Sequence, residues 1–234
     1  MPLDLLHEDA HVLVVNKPSG VLTQGRRPGE SSLESSVRSH LNPENPTSAY
    51  VGTVHRLDRP VSGVIVWAKN SRAARRLASQ FASREVKKEY WAAITSEQSL
   101  DRGLWEDWLI EEDTGLGLVQ ICLPGTPRSR RAVTRYQVQK ANRLPFSTIL
   151  LALFPETGRT HQLRVQTASR GHAILGDTAY GSRQPFPEGI ALHARALTIR
   201  HPITDEWLRF EAPLPRSWEL AGIVPAIGRG TGII

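Results

Sequence analysis

Short apolar or alternating runs recur along the chain, and their brevity predicts strands, among them His11–Val15, Val64–Ala68, Thr134–Val138 and Thr148–Phe154. From Ser71 to Arg84 the period changes. Ala74, Leu77, Ala78 and Phe81 recur at helical spacing, which predicts an amphipathic helix N-capped by Ser71, with Arg72, Arg75, Arg76 and Arg84 making its outer surface basic. A second helix is expected from Thr160, as N-cap, to Arg170, because Gly171 follows where a left-handed residue ends a helix. A third covers Leu33–Leu41. Gly25–Ser32, Asn42–Thr47, Leu123–Arg130 and Ser182–Gly189, rich in Gly, Pro, Ser or Arg, read as loops too short to be domain linkers. Dispersed strands with interspersed helices and no repeat period predict one mixed α+β domain over residues 1–224. The Gly-containing residues 225–234 are expected to form a flexible C-terminal tail.

Composition narrows the partners. The 234 residues, 40% of them hydrophobic, can bury a sizeable core, and a formal charge of +6 makes a polyanion a reasonable partner, leaving RNA, DNA and acidic membrane surfaces open. Insertion into a membrane is not expected, since the longest apolar stretch, Ile149–Phe154, is far too short to span a bilayer. Asp4, Glu8 and Asp9 stand where an export signal needs basic residues, and the lone Cys122 precludes an internal disulfide framework. The expected compartment is the cytoplasm.

The densest chemical cluster is His55-Arg56-Leu57-Asp58-Arg59-Pro60-Val61-Ser62-Gly63, one carboxylate between two guanidinium groups. Positive neighbours favour the ionised form, as a carboxylate nucleophile or general base requires, although an isolated cluster of this kind also reads as a structural salt bridge at a turn. A second pattern, His7-Glu8-Asp9-Ala10-His11, matches the zinc motif His-Glu-x-x-His, but that motif needs a helix and His11 leads straight into an apolar strand. No metal site is expected there. The chain also lacks a Gly-x-x-x-x-Gly-Lys-Ser/Thr phosphate loop, which argues against nucleotide hydrolysis.

His55–Gly63 resembles the His-Arg-Leu-Asp-Arg-x-Thr-Ser-Gly signature of RluA-type pseudouridine synthases, and three further blocks resemble that family in the same order. They are Asn16-Lys17-Pro18-Ser19-Gly20, then Lys88-Glu89-Tyr90, then Glu156–Val165 continued by Gly171-His172, Leu175-Gly176-Asp177, Tyr180-Gly181 and Leu192-His193-Ala194. The resemblance implies a catalytic fold with a mainly antiparallel sheet core and flanking helices, without a separate N-terminal RNA-binding domain. It implies an isomerase that converts uridine in tRNA or rRNA to pseudouridine without cofactor or metal; no obligate protein partner is implied, and a monomer is the default expectation.

By the same resemblance Asp58 is the nucleophile, or a base in a competing scheme, and Arg164 pairs with the catalytic carboxylate. Tyr90 stacks on the uracil and assists removal of the C5 proton, and Leu163 packs beside the target base, although its helical spacing equally suits plain core. Arg56 is the candidate to fill the gap left by a flipped nucleotide. Lys17, Arg72, Arg75, Arg76 and Arg159 are weaker candidates for phosphate contacts. The chain departs from the family pattern at Pro60-Val61, at Gln166 where His is common and at Ala173 where Pro is common. Those departures keep a second class open, an RNA-binding protein of the same fold that has lost catalysis.

Overall fold

The computed structural model describes residues 2–25, 27, 30–96, 99–112, 117–145 and 147–226. In chain order they form strands β1 (Leu5–Glu8), β2 (Val12–Lys17), β3 (Gly52–Thr53), β4 (Ser62–Ala68), β5 (Lys87–Thr95), β6 (Arg102–Glu111) and β7 (Val119–Cys122). Strands β8 (Arg130–Val138), β9 (Ala141–Arg143), β10 (Thr148–Pro155), β11 (Leu192–Arg200), β12 (Trp207–Glu211) and β13 (Val224–Pro225) follow. The helices are α1 (Leu33–Leu41), α2 (Ser71–Ala82), α3 (Gln162–Ala168) and α4 (Arg216–Leu220). The class is mixed α+β with mostly antiparallel strands, as expected. Of the expected tail, residues 227–234 lie outside the described residues, while Pro225 pairs with Ala141 in a strand. Residues 26, 28 and 29 of the Gly25–Ser32 loop also lie outside them.

Two compact units divide the chain, one running to Tyr90 and including His193–Leu214, the other formed by Trp91–Leu192 and the residues from Pro215 onward. The chain passes from the first to the second within β5. In the first unit β1, β2, β4 and β11 are successive neighbours, β12 lies against β11, and β3 against β4. The pair β4–β11 is parallel, with Ser62 opposite His193 and Gly63 opposite Ala194. Strand β4 is buried along its whole length, which explains why it reads as an unbroken apolar run and not as an alternating one.

At Gly63 the backbone has φ +118, and a Cβ there would stand 2.3 Å from the carbonyl oxygen of Ala194. Only glycine permits that approach. Next to it, the buried Ser62 Oγ lies 2.9 Å from His193 Nδ1, and His193 Nε2 lies 3.2 Å from the carbonyl of Ala212. A carbonyl can only accept, so Nε2 carries the proton, and Nδ1 accepts from the serine.

Helix α1 has the expected bounds and a reciprocal cap, Ser32 accepting from the Ser35 N–H and Ser35 from that of Ser32. In α2 the cap is Asn70 and not Ser71: the extended Asn70 accepts from the Ala73 N–H at 2.9 Å. Its buried face is Ala73, Leu77 and Gln80, while Ala78 is exposed. Gln80 is satisfied there because its amide exchanges two 2.9 Å hydrogen bonds with the backbone of Arg200.

The second unit contains the antiparallel succession β10, β8, β6, β7, with a long β6–β8 ladder from Arg102 opposite Gln137 to Leu109 opposite Arg130. Leu109, Val119, Ala132 and Val165 of α3 share one buried cluster, which seats the helix on these strands. Helix α3 is shorter than the expected Thr160–Arg170. His161 occupies its N-cap position at φ 52 with no side-chain cap bond. The carbonyl oxygen of the Gln162 side chain turns back to accept from the Arg159 N–H at 3.0 Å and from the Thr157 hydroxyl at 2.8 Å. Gly171 has φ +75, the left-handed conformation expected for it.

Burial pulls the pKa of His193 from 6.5 down to about 4. The unfolded chain therefore takes up a proton on this imidazole as pH falls through 6.5, and the folded chain does not until about 4. Stability is expected to fall across that window by about 1.4 kcal/mol per pH unit from this group. Urea unfolding of wild type and His193→Gln between pH 7 and 4 checks it, and an equal slope in both proteins contradicts the assignment.

Candidate active site

In the first unit Asp58 lies in the turn between β3 and β4, partly exposed, where its carbonyl accepts from the Val61 N–H at 3.1 Å. The neighbouring carbonyls are all held by the Lys17–Thr23 segment. Thr23 Oγ1 donates to Leu57 at 2.8 Å, the Gly20 N–H to Arg59 at 2.9 Å, and Ser19 Oγ to Pro60 at 2.8 Å. Two blocks some forty residues apart in sequence thus form one hydrogen-bonded turn. Arg59 uses its Nε on the carbonyl of Gly20 at 2.9 Å, and Arg56 is exposed.

Lys17 differs from the sequence expectation. It is 0% exposed, and its Nζ donates to the carbonyls of Pro18, Val21 and Arg59 at 2.9, 2.8 and 3.3 Å. An ammonium with its three protons so directed is no phosphate contact. Burial pulls its pKa down to about 7, opposed by the negative charge of Asp58. Of the other phosphate candidates, Arg72 and Arg75 are exposed on α2, Arg76 donates to the carbonyl of Pro202, and the exposed Arg159 donates to that of Arg131.

Tyr90, on β5, is half-buried. Burial, together with the negative charge of Asp58, raises its pKa above the usual phenol value. The phenol therefore stays neutral, which disfavours a free phenolate as the base for C5. His55, stacked on Phe81 at 4.7 Å, accepts the Val66 N–H on Nε2 and so is also neutral. Burial pulls its pKa down to about 3.

Leu163 and Arg164 are consecutive on α3 of the second unit, and both are buried. Within that unit Arg164 Nε and Nη2 donate to the two carboxylate oxygens of Asp177, each at 2.7 Å, with the side chains 7% and 1% exposed. The Arg164 guanidinium also lies 4.9 Å from the centre of the Tyr180 ring. The Tyr180 hydroxyl accepts from the Val119 N–H at 3.0 Å and lies 2.9 Å from His161 Nδ1. A bidentate carboxylate and an anchored ring thus fix the direction of Arg164. Sequence reasoning quoted Asp177 and Tyr180 inside matching blocks without giving either a role. Their signal was a charge and a ring following Arg164 within a loop.

Gln166 sits at the centre of a polar chain. Its Oε1 accepts from Thr134 Oγ1 at 2.7 Å, and its Nε2 donates to Asp107 at 2.7 Å, while Asp107 also holds Arg170 at 3.1 Å. An amide presents both a donor and an acceptor there, as an imidazole would. Val61 is buried, 2% exposed. The zinc-like motif is dispersed: His7 and Glu8 are on β1, His7 lies 3.1 Å from Asp9, Glu8 pairs with Lys69 and His40, and His11 meets Asn70. Among the described residues no group of three or more His, Cys, Asp or Glu is disposed to hold a metal ion, and no helix is long and apolar enough to cross a membrane.

Residues 11–169, which include Asp58, Tyr90 and Arg164, match the family model described as RNA pseudouridylate synthase. A dual-specificity RNA pseudouridine synthase RluA from Pasteurella multocida is 38% identical over 90% of this chain and 93% of its own length. The ribosomal large subunit pseudouridine synthase D of Vibrio cholerae is 34% identical over 92% of this chain and 68% of its own. Among solved structures, human RNA pseudouridylate synthase domain containing 1 superposes with a TM-score of 0.76 at 26% identity, over 96% of this chain and 89% of that one. Fold and matched residues define an RNA-modifying isomerase. The chain belongs to the RNA pseudouridylate synthase family.

Removing one partner of the Arg164–Asp177 pair leaves a buried cation without its counter-charge. Asp177→Asn is expected to lower stability by about 3 kcal/mol, read from urea unfolding at pH 7. A loss below about 1 kcal/mol would place the pair with surface ion pairs and end its role in fixing Arg164.

Proposed function

We propose that the protein isomerises uridine to pseudouridine in tRNA or rRNA in the cytoplasm, as a monomer without a protein partner, and that Asp58, Tyr90 and Arg164 carry the chemistry. The observation that bears this reading is the family match across the segment that holds all three residues. One relative is named for the large ribosomal subunit and another for dual specificity, which supports structured RNA as the substrate.

The reaction breaks the bond between uracil N1 and ribose C1′, turns the base, joins C5 to C1′, and moves one proton from C5 to N1. Electrons balance without a redox partner. Asp58 supplies the nucleophilic carboxylate on its tied turn. Tyr90 stacks on the uracil as a neutral phenol. Its hydroxyl takes the C5 proton while passing its own to the released Asp58 carboxylate, which hands that proton on to N1 so that phenol and carboxylate are both restored, a role supported by the influence of the Asp58 charge on Tyr90. Arg164 contributes a permanent positive charge of fixed direction, and Leu163 apolar surface beside the base.

A stacked uridine hides its glycosidic carbon, so the nucleotide must leave its stack. The exposed guanidinium of Arg56 fills the gap, and the basic surface of α2 contacts phosphates. No observation favours the inactive RNA-binding reading, since Gln166 is hydrogen-bonded at both ends of its amide and Val61 fills a buried apolar position.

Wild-type protein is expected to form pseudouridine in an RNA transcript in excess chelator, with RNA affinity falling steeply as salt rises. Product that appears only on adding metal would overturn the cofactor-free scheme, and binding without product would support the inactive reading. Asp58→Asn should abolish product while RNA affinity stays within several-fold, because the amide keeps the shape but is no nucleophile. Arg56→Ala should slow single turnover with Asp58 intact, since nothing then offsets an unstacking cost of a few kcal/mol. Pseudouridine made by Asp58→Asn, verified free of deamidation, would sink the nucleophile assignment, and an unchanged Arg56→Ala would remove the gap-filling role alone.

A further inference from the structure

Helix α2 is closed by a left-handed residue, and that residue is an arginine. Ser83 caps the helix and Arg84 follows at φ 63, its N–H directed back to the Phe81 carbonyl at 3.4 Å, while the Glu85 N–H reaches the Gln80 carbonyl at 3.0 Å. Glycine is the usual residue in this paired closing turn, because the left-handed conformation brings a Cβ too close to a carbonyl oxygen. Elsewhere the chain keeps to that preference. Gly171, Gly181 and Gly222 take the left-handed position after α3, after the single turn Thr178–Tyr180 and after α4. Arg84 holds its place against a backbone cost, so the reason for it lies in its side chain.

The helix dipole does not supply that reason. A cation suits a helix C-terminus, but α2 is not charged to match its dipole: Arg72, Arg75 and Arg76 stand in its N-terminal half, its first turn holds no acidic residue, and Glu85 follows its negative end. An ion pair does not supply it either. The neighbouring Glu85 carboxylate accepts from the Ser83 hydroxyl at 2.6 Å, and among the described residues no hydrogen bond or ion pair holds the exposed Arg84 guanidinium. The exposed Arg209, by contrast, is held by Glu89 and Glu211, each at 2.9 Å. The place of Arg84 points to the site. One turn earlier Phe81 stacks on His55 with ring centres 4.7 Å apart, so the end of α2 lies against the segment that runs through Arg56 to Asp58. We propose that Arg84 is a contact for the sugar–phosphate backbone of the substrate RNA, presented by the closing turn of α2. The inference rests on the reading of RNA as substrate. A guanidinium offers paired N–H donors that match two phosphate oxygens, and the left-handed backbone sets the direction in which the side chain leaves the helix.

The test measures affinity for an unmodified tRNA transcript over a series of salt concentrations, with a urea unfolding midpoint for each variant. Arg84→Gly and Arg84→Gln should both bind about fivefold more weakly at low salt, and the slope of log affinity against log salt should lose about one unit, as for one phosphate contact. Arg84→Lys should keep the slope. Arg84→Gly should lose affinity while its urea midpoint stays at or above that of wild type, because glycine relieves the turn. Arg209→Gln removes the same net charge from a side chain already held by two carboxylates and should leave the slope in place. A wild-type slope in Arg84→Gly and Arg84→Gln overturns the proposal, and so does an equal loss in Arg209→Gln, which would make the effect one of net charge. If the Arg84 variants lose slope but wild type makes no pseudouridine, the RNA contact stands and the isomerase reading fails. If wild type makes pseudouridine and the slope does not move, the contact alone fails.

Discussion

The close approach of β4 to β11 at Gly63 constrains the first unit. Since a Cβ would strike the Ala194 carbonyl, the two backbones meet only because that position has no side chain, and the neighbouring Ser62 and His193 complete the junction with a buried hydrogen bond. Strand β4 is shared on its other edge with β2, whose Lys17 lies opposite Gly63. The strand that carries Asp58 at its entrance is thereby fixed along both edges. Ser62 and Gly63 serve that geometry, and Asp58 four residues upstream inherits it.

Each unit buries a cation, and the two are satisfied differently. Arg164 meets a carboxylate of matching fork geometry and a ring, which suits a side chain that keeps its charge. Lys17 meets backbone carbonyls, which supply dipoles without a full counter-charge. An ammonium in such a place remains titratable, which is why burial draws Lys17 toward neutrality while a neighbouring carboxylate opposes it. Neither cation is a surface charge awaiting RNA. The exposed Arg56, Arg72 and Arg75 form a separate population at the surface.

Two of the departures from the family pattern, Gln166 and Val61, fall on positions whose surroundings suit the residue present. Gln166 donates to Asp107 and accepts from Thr134, so the polar chain beneath α3 stays satisfied. Val61 is buried beside the turn, and its backbone N–H donates to the Asp58 carbonyl. Both substitutions leave the supports of Asp58 and Arg164 unbroken.

Local pattern by itself determined the strands β4 and β10, the extent of α1, the left-handed Gly171 and the family, because apolar periodicity, capping residues and ordered motifs are properties of neighbours in sequence. It also marked Asp58, Tyr90 and Arg164, whose signal is the company they keep in their blocks. Tertiary structure decided the rest. Whether Lys17 is a solvated cation or a buried tie depends on a carbonyl forty-two residues away. That Asp177 clamps Arg164, and that Gln80 sits on the buried face of α2 where Ala78 was expected, depend on groups that no periodicity brings together. Even the cap of α2 moved by one residue, because Asn70 takes the extended conformation that lets its side chain reach Ala73. A side chain's solvation is set by what the folded chain lays against it, and residue type with near neighbours does not encode that.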